Sequence, residues 1–210
     1  MHTVQTPIHE LPPDYREVRL LVATEGRTLL WLNLAAIVPL VVMLLFMDRW
    51  WRFAQRVRGV YGSDLLDHLP WWGGVLAVVA VLVATYTLHE LIPGLAIRYY
   101  GHKPRYGIRL DLGVMYATTD SAYFPRNQFV VIALAPLVVM SLVGMALMLA
   151  VSDALAYYIG LVIVLNASGA IGDLWMSWVV LRYPPRVLVR DEADRIRIYD
   201  IGQPERREEF

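Results

Sequence analysis

Inside the long apolar stretches of this 210-residue chain stand His89 and Glu90, side by side, and Asp173 much further on. No other acidic residue and no other histidine lies in those stretches. A carboxylate near the centre of a lipid-facing helix costs about 2.5–3.5 kcal/mol on insertion scales, so it needs a partner or a water-filled cavity. With the amide of Asn166, these groups suit three kinds of chemistry. They can hold a metal and activate water, relay protons or ions, or hydrogen-bond helices together. Their depths agree. His89 lies eight residues before Ile97 and Asp173 eight before Leu181, which at 1.5 Å per residue puts both roughly 12 Å inside one boundary.

The elements that must position them follow from composition. The chain is 57% hydrophobic and 18% charged, with a mean hydropathy of +0.45. Soluble domains run near 45–50% and 25%. Four stretches meet the roughly 20-residue length of a bilayer-spanning helix: Leu29–Met47, Trp71–Ile97, Phe129–Val151 and Ala154–Leu181. Their interior prolines, Pro39, Pro93 and Pro136, are tolerable where neighbouring helices satisfy the freed backbone groups. Zero net charge removes an electrostatic case for nucleic acid. The lack of cysteine excludes disulfides, thiolate metal sites and a thiol nucleophile. No stretch has the form of a secretory signal, and no internal repeat is evident.

Lys and Arg set the orientation. The N-terminal segment, the 98–128 connection and the tail after Leu181 carry 15 of them, against 4 in the 48–70 connection and none at Ser152–Asp153. Both termini are therefore expected in the cytosol. Residues 106–118 alternate apolar and polar, the period of a strand or hairpin. The tail VLVR-DEAD-RIRIY has the pattern of a second short hairpin, and 202–210 that of a disordered end. The expected fold is an all-α integral membrane protein: four transmembrane helices, a small cytosolic β-hairpin between spans 2 and 3, and a short β-rich C-terminal tail. Its divisions are a cytosolic segment 1–28, a four-span domain 29–181 and a cytosolic tail 182–210.

Asn166 and Asp173 are seven apart, on one face of a regular helix, with Gly169 and Ala170 between them. Such small residues let helices approach closely in lipid. The Asn166-Ala-Ser sequon is out of a transferase's reach at that depth. On the second span, His89-Glu-Leu-Ile-Pro93 differs at one position from His-Glu-x-x-His. On a helix that motif sets two imidazoles on one face to grip zinc, with the glutamate as general base.

Together with YYGHKPRYG, MYATTDSAYFPRNQFVVIALAPLVV and NASGAIGDLWMSWVVLRYP, this run resembles a family of small bacterial membrane proteins described as zincin peptidases. That family is similar to the site-2 proteases, the intramembrane zinc metalloproteases. The resemblance covers roughly Arg16 to Tyr199. It implies that His89 and Asp173 are metal ligands, Glu90 the general base and Asn166 a substrate-orienting or ligand-supporting amide. It further implies zinc as cofactor, a bacterial cell membrane as location, and a surface hairpin that pairs with an extended substrate. Pro93 departs from the motif where its second histidine belongs; proline binds no zinc and cannot donate to the His89 carbonyl. His102, Asp120 or an extra water could fill the gap, but nothing in the spacing selects one.

Three functions follow. One is a membrane-embedded metallopeptidase that cuts membrane proteins or peptides near the cytosolic face. Another is an inactive pseudoprotease binding the same partners. The third is a transporter, which four spans and the lack of a two-fold repeat disfavour.

Overall fold

The computed structural model describes residues 7–59, 70–109, 114–119, 122–192 and 195–201. The backbone divides into two compact units. One comprises Met1–Trp31, Pro93–Leu134 and Gly172–Phe210; the other comprises Leu32–Ile92 and Ala135–Ile171.

The helices are α1 (Gly26–Ala35), α2 (Ile37–Arg58), α3 (Trp71–Tyr99), α4 (Arg126–Met148), α5 (Asp153–Gly169) and α6 (Ile171–Leu181). Among the described residues three helical runs are long and apolar enough to cross a bilayer: Gly26–Arg58, α3 and α4. The pair α5 and α6, bent by 45°, makes a fourth if counted as one span. Much of the apolar surface faces outward. Val42, Leu76 and Leu142 are each 60% exposed, an exposure that suits lipid and not water.

Two expectations are corrected here. The first apolar run ends at Met47, but helix continues past it to Arg58. Arg49, Arg52, Arg56 and Arg58, expected in a connection, are therefore helical. Gly59 stops the helix in the left-handed region at φ 70°, its N–H turned back on the Arg56 and Gln55 carbonyls, a conformation that favours glycine. The fourth stretch is not one regular helix, since it breaks at Ala170 between α5 and α6.

The helical unit packs Met47, Ala54, Met148, Ala156, Ile163 and Val164 into one core. Ala54 and Ala156 have no exposed surface, and a Cβ added at Gly144 would lie 2.7 Å from Ile163 Cδ1. One carboxylate staples this unit. Asp153, in the first turn of α5 just after the Ser152 cap, accepts from Trp51 Nε1 (3.1 Å), Gln55 Nε2 (2.9 Å) and Arg58 Nη2 (2.6 Å). Arg58 Nη1 also donates to the Val151 carbonyl at 2.6 Å. Trp51, Gln55 and Arg58 stand at i, i+4 and i+7 on α2, a single helical face.

The other unit is built on sheets. β1 (Tyr15–Val22), β4 (Phe124–Pro125), β5 (Leu188–Asp191) and β6 (Arg195–Ile201) form an antiparallel sheet in the order β1-β6-β5-β4. The expected C-terminal hairpin is the β5–β6 pair. The N-terminal strand β1 was not expected; it pairs with β6 from Tyr15↔Ile201 to Val22↔Arg195. Val187 and Val189 with Ile196 and Ile198 alternate onto one face and join Leu21, Phe129 and Val180 in the core. Leu188 and Tyr199 cover the opposite face with Tyr123, packed by Ile8, Leu11 and Tyr15. β2 (Arg105–Arg109) and β3 (Val114–Thr118) make the separate hairpin expected over 106–118. Its turn lies outside the described residues, as do 202–210, His68 and Asp120.

Candidate functional site

His89 stands in α3 with one ring nitrogen, Nδ1, 2.8 Å from Oδ1 of Asn166 in α5. Asn166 is 1% exposed, and its Nδ2 donates to the Pro136 carbonyl of α4 at 3.2 Å. That second bond orients the amide, because only an NH₂ can donate to a carbonyl. Oδ1 is then the atom left for His89, and Nδ1 must carry the proton it donates. In the neutral imidazole the lone pair consequently sits on Nε2. A histidine held by Nδ1–H on an oxygen acceptor is how a metal-binding imidazole is commonly presented. Three helices of one unit converge on this amide, and in lipid such interhelical bonds contribute roughly 0.6–1.7 kcal/mol each.

One turn before His89, Thr85 is buried and bonds its own helix at the Val81 carbonyl (2.8 Å). Glu90 follows His89 directly and is half-buried. Pro93 lies one turn beyond His89, inside a helix that runs on to Tyr99. Next to it, Gly94 is buried against the Tyr106 ring of β2; a Cβ there would come within 2.6 Å of Tyr106 Cζ and closer still to its hydroxyl.

The structure thus brings together two of the residues singled out from sequence, His89 and Asn166. Asp173 falls in the first turn of α6, where a carboxylate also complements the positive end of the helix dipole. It belongs to the other unit, and its ligand role rests on the resemblance and on the matching depths read from the sequence. The same-face relation of Asn166 and Asp173 assumed a regular helix, and the break at Ala170 interrupts it. Pro136 was missed. It was visible only as an irregularity in a span, with nothing to say that its carbonyl would meet an amide thirty residues on.

Zinc in a catalytic site takes three protein ligands and a water. Among the described residues no group of three or more His, Cys, Asp or Glu side chains is placed to hold a metal. At the motif itself His89 has the right presentation, but Pro93 puts a ring with no donor where the partner imidazole belongs. The donors at the motif do not fit a catalytic zinc.

The family described as "Putative zincin peptidase" matches residues 82–188, just over half of the chain, and the chain belongs to that family. The match starts seven residues before His89 and takes in Glu90, Asn166 and Asp173. Membership suggests a metallopeptidase and implies zinc in general. No curated protein and no solved structure matches the chain.

Proposed function

We propose that this member of the zincin-peptidase family is a membrane-embedded pseudoprotease, which holds extended segments of membrane proteins or peptides near the cytosolic face without cutting them. The observation that carries this reading is Pro93. A carboxylate beside a lone imidazole does not match metal chemistry, which takes the pKa of a bound water from about 15.7 down to about 7. Partner binding needs no such step. β2 and β3 form a two-stranded sheet, and a β-edge accepts an extended segment through main-chain hydrogen bonds. The Tyr106–Gly94 contact ties β2 to the Pro93–Tyr99 end of α3, so a segment paired with β2 is held beside that end of the helix. In this reading 29–181 is the membrane domain, 1–28 and 182–210 are cytosolic as the Lys and Arg distribution indicates, and the host is a bacterium.

The test compares cells carrying the parent chain with cells carrying Glu90→Gln, by mapping new N-termini across membrane proteins. The two are expected to give the same termini, and purified parent is expected to hold no zinc that His89→Ala removes. Termini that appear with the parent and vanish in Glu90→Gln would overturn the reading.

One observation favours a second reading, an active peptidase of site-2 type: the Nδ1-held His89. There His89 and Asp173 bind zinc with a further ligand, Glu90 is the general base and Asn166 supports His89. It predicts one zinc per chain, lost in His89→Ala.

A further inference from the structure

Beyond α3 the chain turns through Gly101 at φ 85°, and the His102 amide donates back to the Ile97 carbonyl at 3.2 Å. His102 is 4% exposed, and its Nδ1 is buried with no hydrogen-bond partner among the described residues. A buried polar atom without a partner calls for an explanation. The His102 ring meets Phe124 edge-on at 4.8 Å, which supplies nothing to a ring nitrogen. It also meets a second imidazole, the exposed His9, with ring centroids 5.3 Å apart and planes at 69°.

The segment carrying His9 is laid over this turn. Pro7 Cγ lies 3.0 Å from where a Cβ at Gly101 would stand. Ile8 bridges to Tyr123, its carbonyl accepting the Tyr123 N–H at 2.9 Å. Two imidazoles binding one tetrahedral metal, at the usual 2.0–2.1 Å, have ring centroids about 5 Å apart. Imidazole pairs suit zinc, copper and nickel, whereas magnesium and calcium want oxygen.

We propose that His9 and His102 form a site for a late first-row divalent metal, zinc or nickel, that clamps the N-terminal segment onto the turn after α3. Water completes the coordination. The site uses neither His89 nor Glu90, and it stands whether or not the chain is a pseudoprotease.

The full chain, purified in detergent through a tag without histidine and stripped with a chelator, is titrated with Co²⁺ as a visible probe and competed with Zn²⁺. One equivalent is expected in the parent and in His89→Ala, and none at this site in His9→Ala, whose exposed position spares the fold. Metal is also expected to slow hydrogen exchange at the Tyr123 amide in the parent and not in His9→Ala. A parent that binds no metal, or a His9→Ala variant that binds as the parent does, would overturn the proposal. Binding lost in His89→Ala but kept in His9→Ala would overturn it too, and would place the metal at the α3 motif.

Discussion

Replacing Pro93 by histidine should give α3 the second imidazole of a metal grip. Positions 89 and 93 are one turn apart on α3, which is helical through both, so their Cβ atoms stand about 5–6 Å apart on one face. That is the spacing two imidazoles need to share a zinc at about 2.0–2.1 Å. His89 is already held at Nδ1 by Asn166. The exchange also returns an N–H toward the His89 carbonyl, and proline inside a helix costs up to ~3 kcal/mol relative to alanine. The helix has already adapted to Pro93, so the gain on that account is smaller. Zinc at a hundred times its dissociation constant adds about 2.7 kcal/mol of stability, about 5–10 °C in unfolding midpoint for a chain of this size. The assay is zinc content per chain and thermal unfolding in detergent, with and without zinc, in a His9→Ala background so that metal at the other histidine pair is not counted. Adding Asn166→Ala to Pro93→His should weaken zinc binding by about 10–100-fold, the usual effect of removing a ligand's supporting partner. A folded Pro93→His variant that binds no more zinc than the parent, or that ignores the loss of Asn166, would refute the reasoning.

Three further outcomes are expected. Asp153→Ala leaves Arg58 without its carboxylate at a pair whose side chains are each 9% exposed; breaking such a pair costs about 3–5 kcal/mol, seen as a lowered unfolding midpoint. Asp153→Asn keeps one acceptor oxygen, enough for Trp51 or for Gln55 but not for both, and should lose less. Gly94→Val collides with the Tyr106 ring and should cost about 1–3 kcal/mol, as overpacking does; a double-mutant cycle with Tyr106→Ala should recover most of it. Glu17→Gln removes the β1 carboxylate that grips Arg197 of β6, leaving Glu192 of the β5–β6 turn, and because the group is exposed the midpoint should shift by less than the Asp153 variants do.

The legible part of this fold was the part governed by one-dimensional hydropathy. Long uncharged runs stay helical because backbone groups in lipid must be satisfied within the segment, and α3 and α4 follow the apolar stretches to within a few residues. The run DRWWRFAQRVR was misjudged for the same reason: with four arginines and an aspartate among its residues it has the composition of a connection. It is helical in a setting where Asp153, almost a hundred residues later, takes three of its donors. β1 was illegible on similar grounds. YREVRLLV has no strict alternation, and its strand state depends on β6 at the far end of the chain.

At the candidate site the sequence picked out His89 and Asn166, which the structure joins by a hydrogen bond. It also set Asn166 and Asp173 on one face by assuming a regular helix, and the chain breaks that helix at Ala170. The reason is local. Asn-Ala-Ser-Gly-Ala-Ile-Gly-Asp carries two glycines within six residues, and glycine is a poor helix former by about 1 kcal/mol relative to alanine. The small residues that looked like a seam for close packing also weaken the helix there, and α5 ends at Gly169. Ala170 N–H still closes on the Asn166 carbonyl at 2.9 Å, so Asn166 belongs to the last complete turn of α5 and its side chain stays fixed between His89 and the Pro136 carbonyl. Asp173 starts a new helix, and its direction is set by α6. A residue-spacing argument carries a side chain's azimuth only as far as the helix it is counted along.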